Sequence, residues 1–221
     1  MSETITKLSK RLLSAFELVP EGSYVIDVGA DRGQFSIYLA NHNHKVLAIE
    51  NKKGPYLNLE KSIKKEGLLN LSCVLADGID YLPSEVDCCC ILGMGGNTIY
   101  EILSSHPESL KQFKSIILEP QSIASQPISY LLDMGFENDA GIYVYEKRYY
   151  PLLRFIPTDK KKNHSPLEQK YGPYPVRHKD PLLKEMLDKE INQLLPYLNQ
   201  EETKKKYDLL VEEKRGIFID E

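Results

Sequence analysis

Tyr24-Val25-Ile26-Asp27-Val28-Gly29 is apolar apart from one acid and ends on a glycine, and Ala30-Asp31-Arg32-Gly33 follows at once. The first part reads as a short buried strand with β-branched residues. The second reads as a glycine-bounded loop opening into a helix that runs to about His42. A buried strand feeding a helix is the first half of a βα unit. Chains built from such units make a mostly parallel sheet covered by helices on both faces.

The alternation continues outward from this point. Residues 45–50 read as a second strand, 54–66 as a helix ended by Gly67, and 71–77 as a third strand. A fourth strand spans 86–93, a helix begins at Gly96-Asn97, and a fifth strand covers 115–120. Residues 127–135 are helical, and 136–157 form a β-hairpin with its turn near Asn138–Gly141 or Lys147–Tyr150. Upstream, residues 4–18 place Leu8, Leu12, Leu13, Phe16 and Leu18 at helical spacing before Pro20-Glu21-Gly22 breaks the run. The class is therefore α/β, with the hairpin adding antiparallel edge strands.

After Pro157 the composition becomes polar and rich in Pro, Lys and His, which reads as a linker. Residues 181–215 carry leucines at helical spacing, interrupted at Pro196, and predict two short helices forming a hairpin. The division expected is 1–157 for the α/β unit and 158–221 for a linker and a small helical region. A length of 221 residues accommodates both.

Composition excludes several classes. No apolar run approaches the roughly 18 residues of a membrane span, and the first residues lack a signal-peptide core. A cytoplasmic protein without membrane partners is expected. Three of the four cysteines are consecutive (Cys88, Cys89, Cys90), so on a strand they alternate between faces and cannot converge on one ion. No metal site is expected. The formal net charge is −4, so nucleic-acid binding, if present, rests on a local patch.

Ligands of parallel sheets bind beyond the carboxyl ends of the strands, and five loops fall there. In the first, Gly29 and Gly33 allow close backbone approach. Asp31 stands where the dinucleotide fingerprint has its second glycine, and it brings negative charge toward any pyrophosphate. That disfavours NAD or FAD. It suits a ligand with an ammonium group and no phosphate, as in the methionine part of S-adenosylmethionine, with Asp27 similarly placed. Glu50, 21 residues beyond Gly29 and followed by Asn51, is positioned to accept from ribose hydroxyls. Asp77-Gly78 offers an acceptor for an adenine amino group, although Asp-Gly is also a common turn pair. Gly93-Met94-Gly95-Gly96-Asn97 offers either a ligand-facing backbone surface or a structural turn, with Asn97 as a helix cap. Glu119-Pro120-Gln121 closes the fifth strand beside the same region.

Taken together, Leu8-Ser9-Lys10-Arg11-Leu12, the run through Asp27, Gly29 and Asp31, Asp77-Gly78, Gly93-Met94-Gly95-Gly96, Glu119-Pro120-Gln121 and Tyr171-Gly172-Pro173-Tyr174 resemble the bacterial tRNA adenine-N1 methyltransferase family that modifies position 22, TrmK. The resemblance implies a class I, Rossmann-like methyltransferase domain with a helical, coiled-coil-like C-terminal region. It implies S-adenosylmethionine held by Asp27, Gly29, Gly33, Glu50, Asn51, Asp77, Gly78 and Gly93. It implies tRNA as the partner, Asp31 as an aspartate of the reacting centre and Gly93-Met94-Gly95-Gly96 at the junction of cofactor and base. Arg11, Arg32, Gly95, Gly96, Pro120 and Gln121 are the residues expected on the substrate side, Met94 and Glu119 beside Asp31 at the reacting centre, and a monomer is expected. The chain departs from the family in having Arg32 where His is common, and Glu119-Pro120-Gln121 where Gln-Pro-Asn is frequent.

The chemistry expected is methyl transfer to adenine N1, whose lone pair needs no prior deprotonation. Alignment then matters more than general-base catalysis. Adenine N1 is normally paired, so local opening of the RNA is expected. Methylation of another RNA site or a small molecule, and a non-catalytic RNA-binding module, are the alternatives.

Overall fold

The computed structural model describes residues 8–80, 82–160 and 162–219. Its centre is a seven-stranded sheet in the order β3-β2-β1-β4-β5-β7-β6. The strands are β1 (Tyr24–Val28), β2 (Lys45–Glu50), β3 (Leu71–Leu75), β4 (Cys88–Met94), β5 (Ser115–Pro120), β6 (Phe136–Glu146) and β7 (Arg148–Pro157). Strands β1 to β5 pair in parallel, and β7 joins β5 antiparallel with β6 as the outer strand. The order reverses between β1 and β4, which opens a crevice at their carboxyl ends.

Alternation along the central strands divides the core in two. Val25, Val46, Cys88 and Cys90 pack under α1 (Lys10–Leu18), α2 (Gln34–Asn41) and α3 (Lys53–Glu66). Ile26, Leu47, Cys89 and Ile91 pack on the other face under α4 (Gly96–Ser105), α5 (Pro107–Leu110) and α6 (Ser125–Asp133). The three consecutive cysteines are thus fully buried small side chains on opposite faces. Burial pushes the thiols of Cys89 and Cys90 well above the ordinary range.

Several expectations change. The first helix begins at Lys10 because the Ser9 side chain accepts from the Leu12 amide and caps it; residues 4–7 of the expected helix lie outside the described residues. The hairpin turns at Lys147, which takes a left-handed φ of 65°, and not at Asn138–Gly141. There the register shifts instead, and the Asn138 amide bonds the carbonyls of Ala140 and Arg154. Asn97 does not cap α4: Gly95 is the extended residue before it and Gly96 already begins the helix.

The stretch expected to be a linker holds two short helices, α7 (Pro166–Tyr171) and α8 (Pro173–Arg177). Ser165 and Glu168 form a reciprocal capping box at the first. Beyond them α9 (Pro181–Leu194) and α10 (Glu201–Phe218) pack together, joined through a 3₁₀ turn at Leu195–Tyr197 that contains Pro196. Leu183, Leu187, Leu210 and Ile217 make a third, smaller core with Tyr143 of β6 and Tyr171 of α7. Tyr171 donates to Glu213, which also takes Lys170, so the helical region is tied down by a satisfied polar cluster as well as by apolar burial.

Candidate active site

The loop after β1 is the pivot of the site. Gly29 and Ala30 both donate to the Ile49 carbonyl, at 2.8 and 3.1 Å, and this folds the loop against the tip of β2. Gly29 has φ +76°, and a side chain there would place its Cβ 2.2 Å from Met94 Cε. The glycine therefore serves both backbone conformation and close approach. Asp31 is also left-handed, at φ 48°, which Asp tolerates better than most residues. Its amide reaches Glu50 Oε2 at 3.3 Å. Glu50 is buried and also accepts from the amides of Asn51 and Lys52 at 3.1 and 3.2 Å. Three donors on a group with about four acceptor positions leave room for a ligand hydroxyl. Asn51 Nδ2 donates to Asp77 Oδ1 at 3.1 Å, linking the tips of β2 and β3.

Two cavities open here. The larger, of about 690 Å³, is lined by Gly29, Asp31, Glu50, Asn51, Asp77, Gly78 and Met94 among others. The smaller, of about 280 Å³, includes Arg11, Asp27, Arg32, Gly93 and Gln121. Gly29 and Asp31 are common to both. The larger volume lies within the 300–1,000 Å³ range of cofactor pockets. A mixed wall of carboxylates, an amide and apolar Val28, Ile49 and Ile102 suits an adenosine-like group.

Asp27 lies behind the loop, 4% exposed, and accepts from the Ser36 hydroxyl. Burial raises its pKa to about 6 against the lowering effect of Ser36, with Glu50 adding to the rise. Glu119 is fully buried at the tip of β5, where one oxygen takes Arg11 of α1 and the Gly93 amide at 2.9 Å. Burial raises this carboxyl as well, while Arg11 and Gly93 oppose the shift. Arg11 also lies 3.6 Å from Glu146 and over the Tyr150 ring, so α1 is strapped across the end of the sheet. Arg32 is exposed and has no ion pair among the described residues, whereas Arg11 is the internal partner of Glu119.

Five of the expected residues line neither cavity. Gly33 caps α2 against Leu59. Gly95 and Gly96 line neither cavity; the Gly96 amide is taken by the Ser122 carbonyl at 2.7 Å, making a junction between β4 and the loop after β5. Pro120 ends β5 in a buried position. Glu119 acts from behind the smaller cavity, through Arg11 and Gly93. One face of α4 was missed: Thr98, Glu101, Ile102 and Ser105 line the larger cavity. Their spacing of i, i+3, i+4 and i+7 was present in the sequence, but only the docking of α4 shows which face turns inward. His106, which pairs with Asp80 at 2.9 Å on the rim, carried no such signal.

Among the described residues no group of three or more His, Cys, Asp or Glu is arranged to hold a metal ion, and no helix is long and apolar enough to cross a membrane.

Comparison with known proteins fits this geometry. A curated Bacillus subtilis (strain 168) protein, tRNA (adenine(22)-N(1))-methyltransferase, is 35% identical over 119 residues. The match covers 52% of this chain and 50% of that protein, so it spans about half the length of the relative. A Streptococcus agalactiae structure, described as a protein of the NADB-Rossmann superfamily, superposes with a TM-score of 0.84 at 27% identity, covering 96% of each chain. A Streptococcus pneumoniae protein, described as a candidate tRNA (m1A22) methyltransferase and solved in complex with S-adenosyl-L-methionine, gives 0.82 at 25% identity over 95% of this chain and 97% of that one. The methyltransferase domain family model matches residues 8–153, from the Arg11 strap through the β5 and β7 strands. With the reversed strand order, the glycine pivot and the strand-tip carboxylates all inside that span, the chain belongs to the methyltransferase domain family.

Proposed function

We propose that this protein transfers a methyl group from S-adenosylmethionine to N1 of adenine 22 in tRNA, acting as a cytoplasmic monomer. The observation that carries the reading is the pair of cavities meeting at Gly29 and Asp31, one suited to adenosine and the other polar. The named relative from Bacillus subtilis supplies the acceptor.

When bound, S-adenosylmethionine supplies an electrophilic methyl group on a sulfonium. Glu50 would hold the ribose hydroxyls, Asn51 and Asp77 the adenine edge, and the Gly29 backbone on the shared wall the amino-acid end, with Asp27 behind it at the edge of the smaller cavity. Asp31, on the shared wall, places a negative charge beside the line along which positive charge moves from sulfur to base. Met94, packed on Gly29, shapes the same junction. Gly93, held by Glu119, and Gln121 form the acceptor side with Arg11. The smaller cavity carries Arg11, Asp27, Asp31, Arg32, Gln34 and Gln121, a wall that favours a polar base over an apolar small molecule.

The test is methyl incorporation from labelled S-adenosylmethionine into tRNA transcripts with A or G at position 22, with nucleoside analysis of the product. N1-methyladenosine formed only with adenine at that position is the expected result. Cofactor binding without incorporation into any folded tRNA would overturn the acceptor assignment.

A further inference from the structure

The β6–β7 hairpin ends in two tyrosines, of which Tyr149 packs partly against the third core and Tyr145 is exposed. Tyr145 and Tyr149 stand opposite each other in register, their ring centroids 4.8 Å apart and their planes tilted by 46°. Tyr145 is 41% exposed. The Tyr149 hydroxyl is fixed by a 2.7 Å bond to Glu185 of α9. Lys189, also on α9, holds its ammonium 5.3 and 5.5 Å from the two ring centroids. Beside the rings lies a cavity of about 540 Å³ that Asn192 and Gln193 also line.

The charges around it are unevenly matched. Lys189, Lys147 and Arg148 are exposed, and none forms an ion pair among the described residues. The nearest acid on α9, Asp188, is already shared between Lys184 and Lys214. Glu185 is committed to Tyr149. The patch therefore offers aromatic faces, the amide side chains of Asn192 and Gln193 for a polar edge, and the Lys189 ammonium, while Glu185 and Asp188 on the same wall are each bonded to another side chain.

Its position gives the patch a use. Because β7 runs antiparallel to β5, the hairpin apex projects from the edge of the sheet that carries the strand tips of the site. Tyr150, next to Tyr149 on β7, lies under Arg11, which lines the smaller cavity. Adjacent strand residues face opposite ways, so one hairpin supports the acceptor cavity on one side and the tyrosine pair on the other.

We propose that Tyr145 and Tyr149 form a stacking platform for an unpaired nucleobase of the RNA substrate outside the methyl-acceptor cavity, with Lys189 and the apex Lys147 taking the flanking phosphates. This rests on the RNA reading given above. Aromatic faces stack on any base, and cations beside them track the backbone. As the base arrives, the Lys189 ammonium exchanges the tyrosine faces for a phosphate. The platform holds the substrate at a second point while the target adenine occupies the smaller cavity, which supplies the opening of local RNA structure with binding energy from a distant contact.

The experiment compares wild type with Tyr145→Leu, which keeps apolar bulk without a stacking face, and Tyr145→Phe, which keeps the face. Methylation of a tRNA transcript with adenine at position 22 is measured against tRNA concentration. Fluorescein-labelled transcript binding is measured by anisotropy in parallel. Tyr145→Leu is expected to raise KM and the dissociation constant for tRNA about tenfold, with the loss falling on KM rather than on kcat, and Tyr145→Phe to restore both. Equal tRNA affinity in wild type and Tyr145→Leu overturns the platform, as does a Phe variant as weak as the Leu variant. If wild type binds tRNA with the expected dependence on Tyr145 but methylates none, the platform stands and the acceptor assignment falls. If wild type binds no tRNA, both fall.

Discussion

Asp27 shows how a single residue trades stability for a site. Its carboxyl is buried, and its pKa rises to about 6 from the 3.8 of a free aspartate. The folded state therefore binds the proton more tightly than the unfolded chain does. Stability from this group is highest below pH 4, falls as pH rises to about 6, and is flat above. The full penalty at neutral pH is about 3 kcal/mol. Asp27→Asn keeps an acceptor for the Ser36 hydroxyl and removes the charge. The variant is expected to melt several degrees above wild type at pH 7.5, with the gap closing toward pH 4, and to bind S-adenosylmethionine about tenfold more weakly. Thermal denaturation across that pH range with calorimetric titration checks both; a gap that does not depend on pH would refute the account. The acids at 27, 50 and 77 were readable from sequence because each ends an apolar run, and parallel topology sends all such ends to one edge. The behaviour of Glu119 was not: its partner Arg11 is 108 positions away.

Two adjacent glycines separate conformational need from packing need between β4 and α4. A Cβ on Gly96 would lie 2.1 and 2.5 Å from the carbonyl oxygens of Ile123 and Ser122, which are backbone atoms with no room to yield. A Cβ on Gly95 would meet only the Ser122 hydroxyl, at 3.2 Å, from an extended conformation open to any residue. Gly96→Ala is expected to cost about 3 kcal/mol or more, and Gly95→Ala less than about 1 kcal/mol. Urea denaturation midpoints decide this; equal losses would show that the junction reads both glycines alike. The same contrast explains what sequence reading of the elements missed. Asn138, Asp139 and Gly141 have the composition of a turn, yet the Asp139 carboxylate pairs with Arg154 at 2.7 Å and the segment stays in the strand as a bulge. The turn falls at Lys147, the start of the other stretch expected to hold it, Lys147–Tyr150. Pro166 and Pro173, within the stretch read as a linker, open α7 and α8, where proline at the first helical position loses no hydrogen bond.

Across the whole molecule the net charge of −4 conceals a local arrangement. Lys147 and Lys189 lie 42 positions apart in the chain, yet the packing of α9 on the hairpin sets Lys189 over the tyrosine pair beside the Lys147 turn. The alternation of strands and helices, by contrast, was readable from end to end because burial on both faces of a parallel sheet writes itself as continuous apolar runs. The wall formed by Gly29 and Asp31 has a further consequence, one of traffic. The two linings share only Gly29 and Asp31, so under the function proposed above the spent cofactor and the modified RNA are expected to leave independently. S-adenosylhomocysteine is therefore expected to compete with S-adenosylmethionine while inhibiting in a mixed pattern against tRNA, as measured in initial-rate experiments with both concentrations varied. Purely uncompetitive inhibition against tRNA would mean that the occupants queue through a single door. With separate doors, a slow departure of modified RNA does not hold the spent cofactor in place, and the enzyme can be recharged while its last product is still attached.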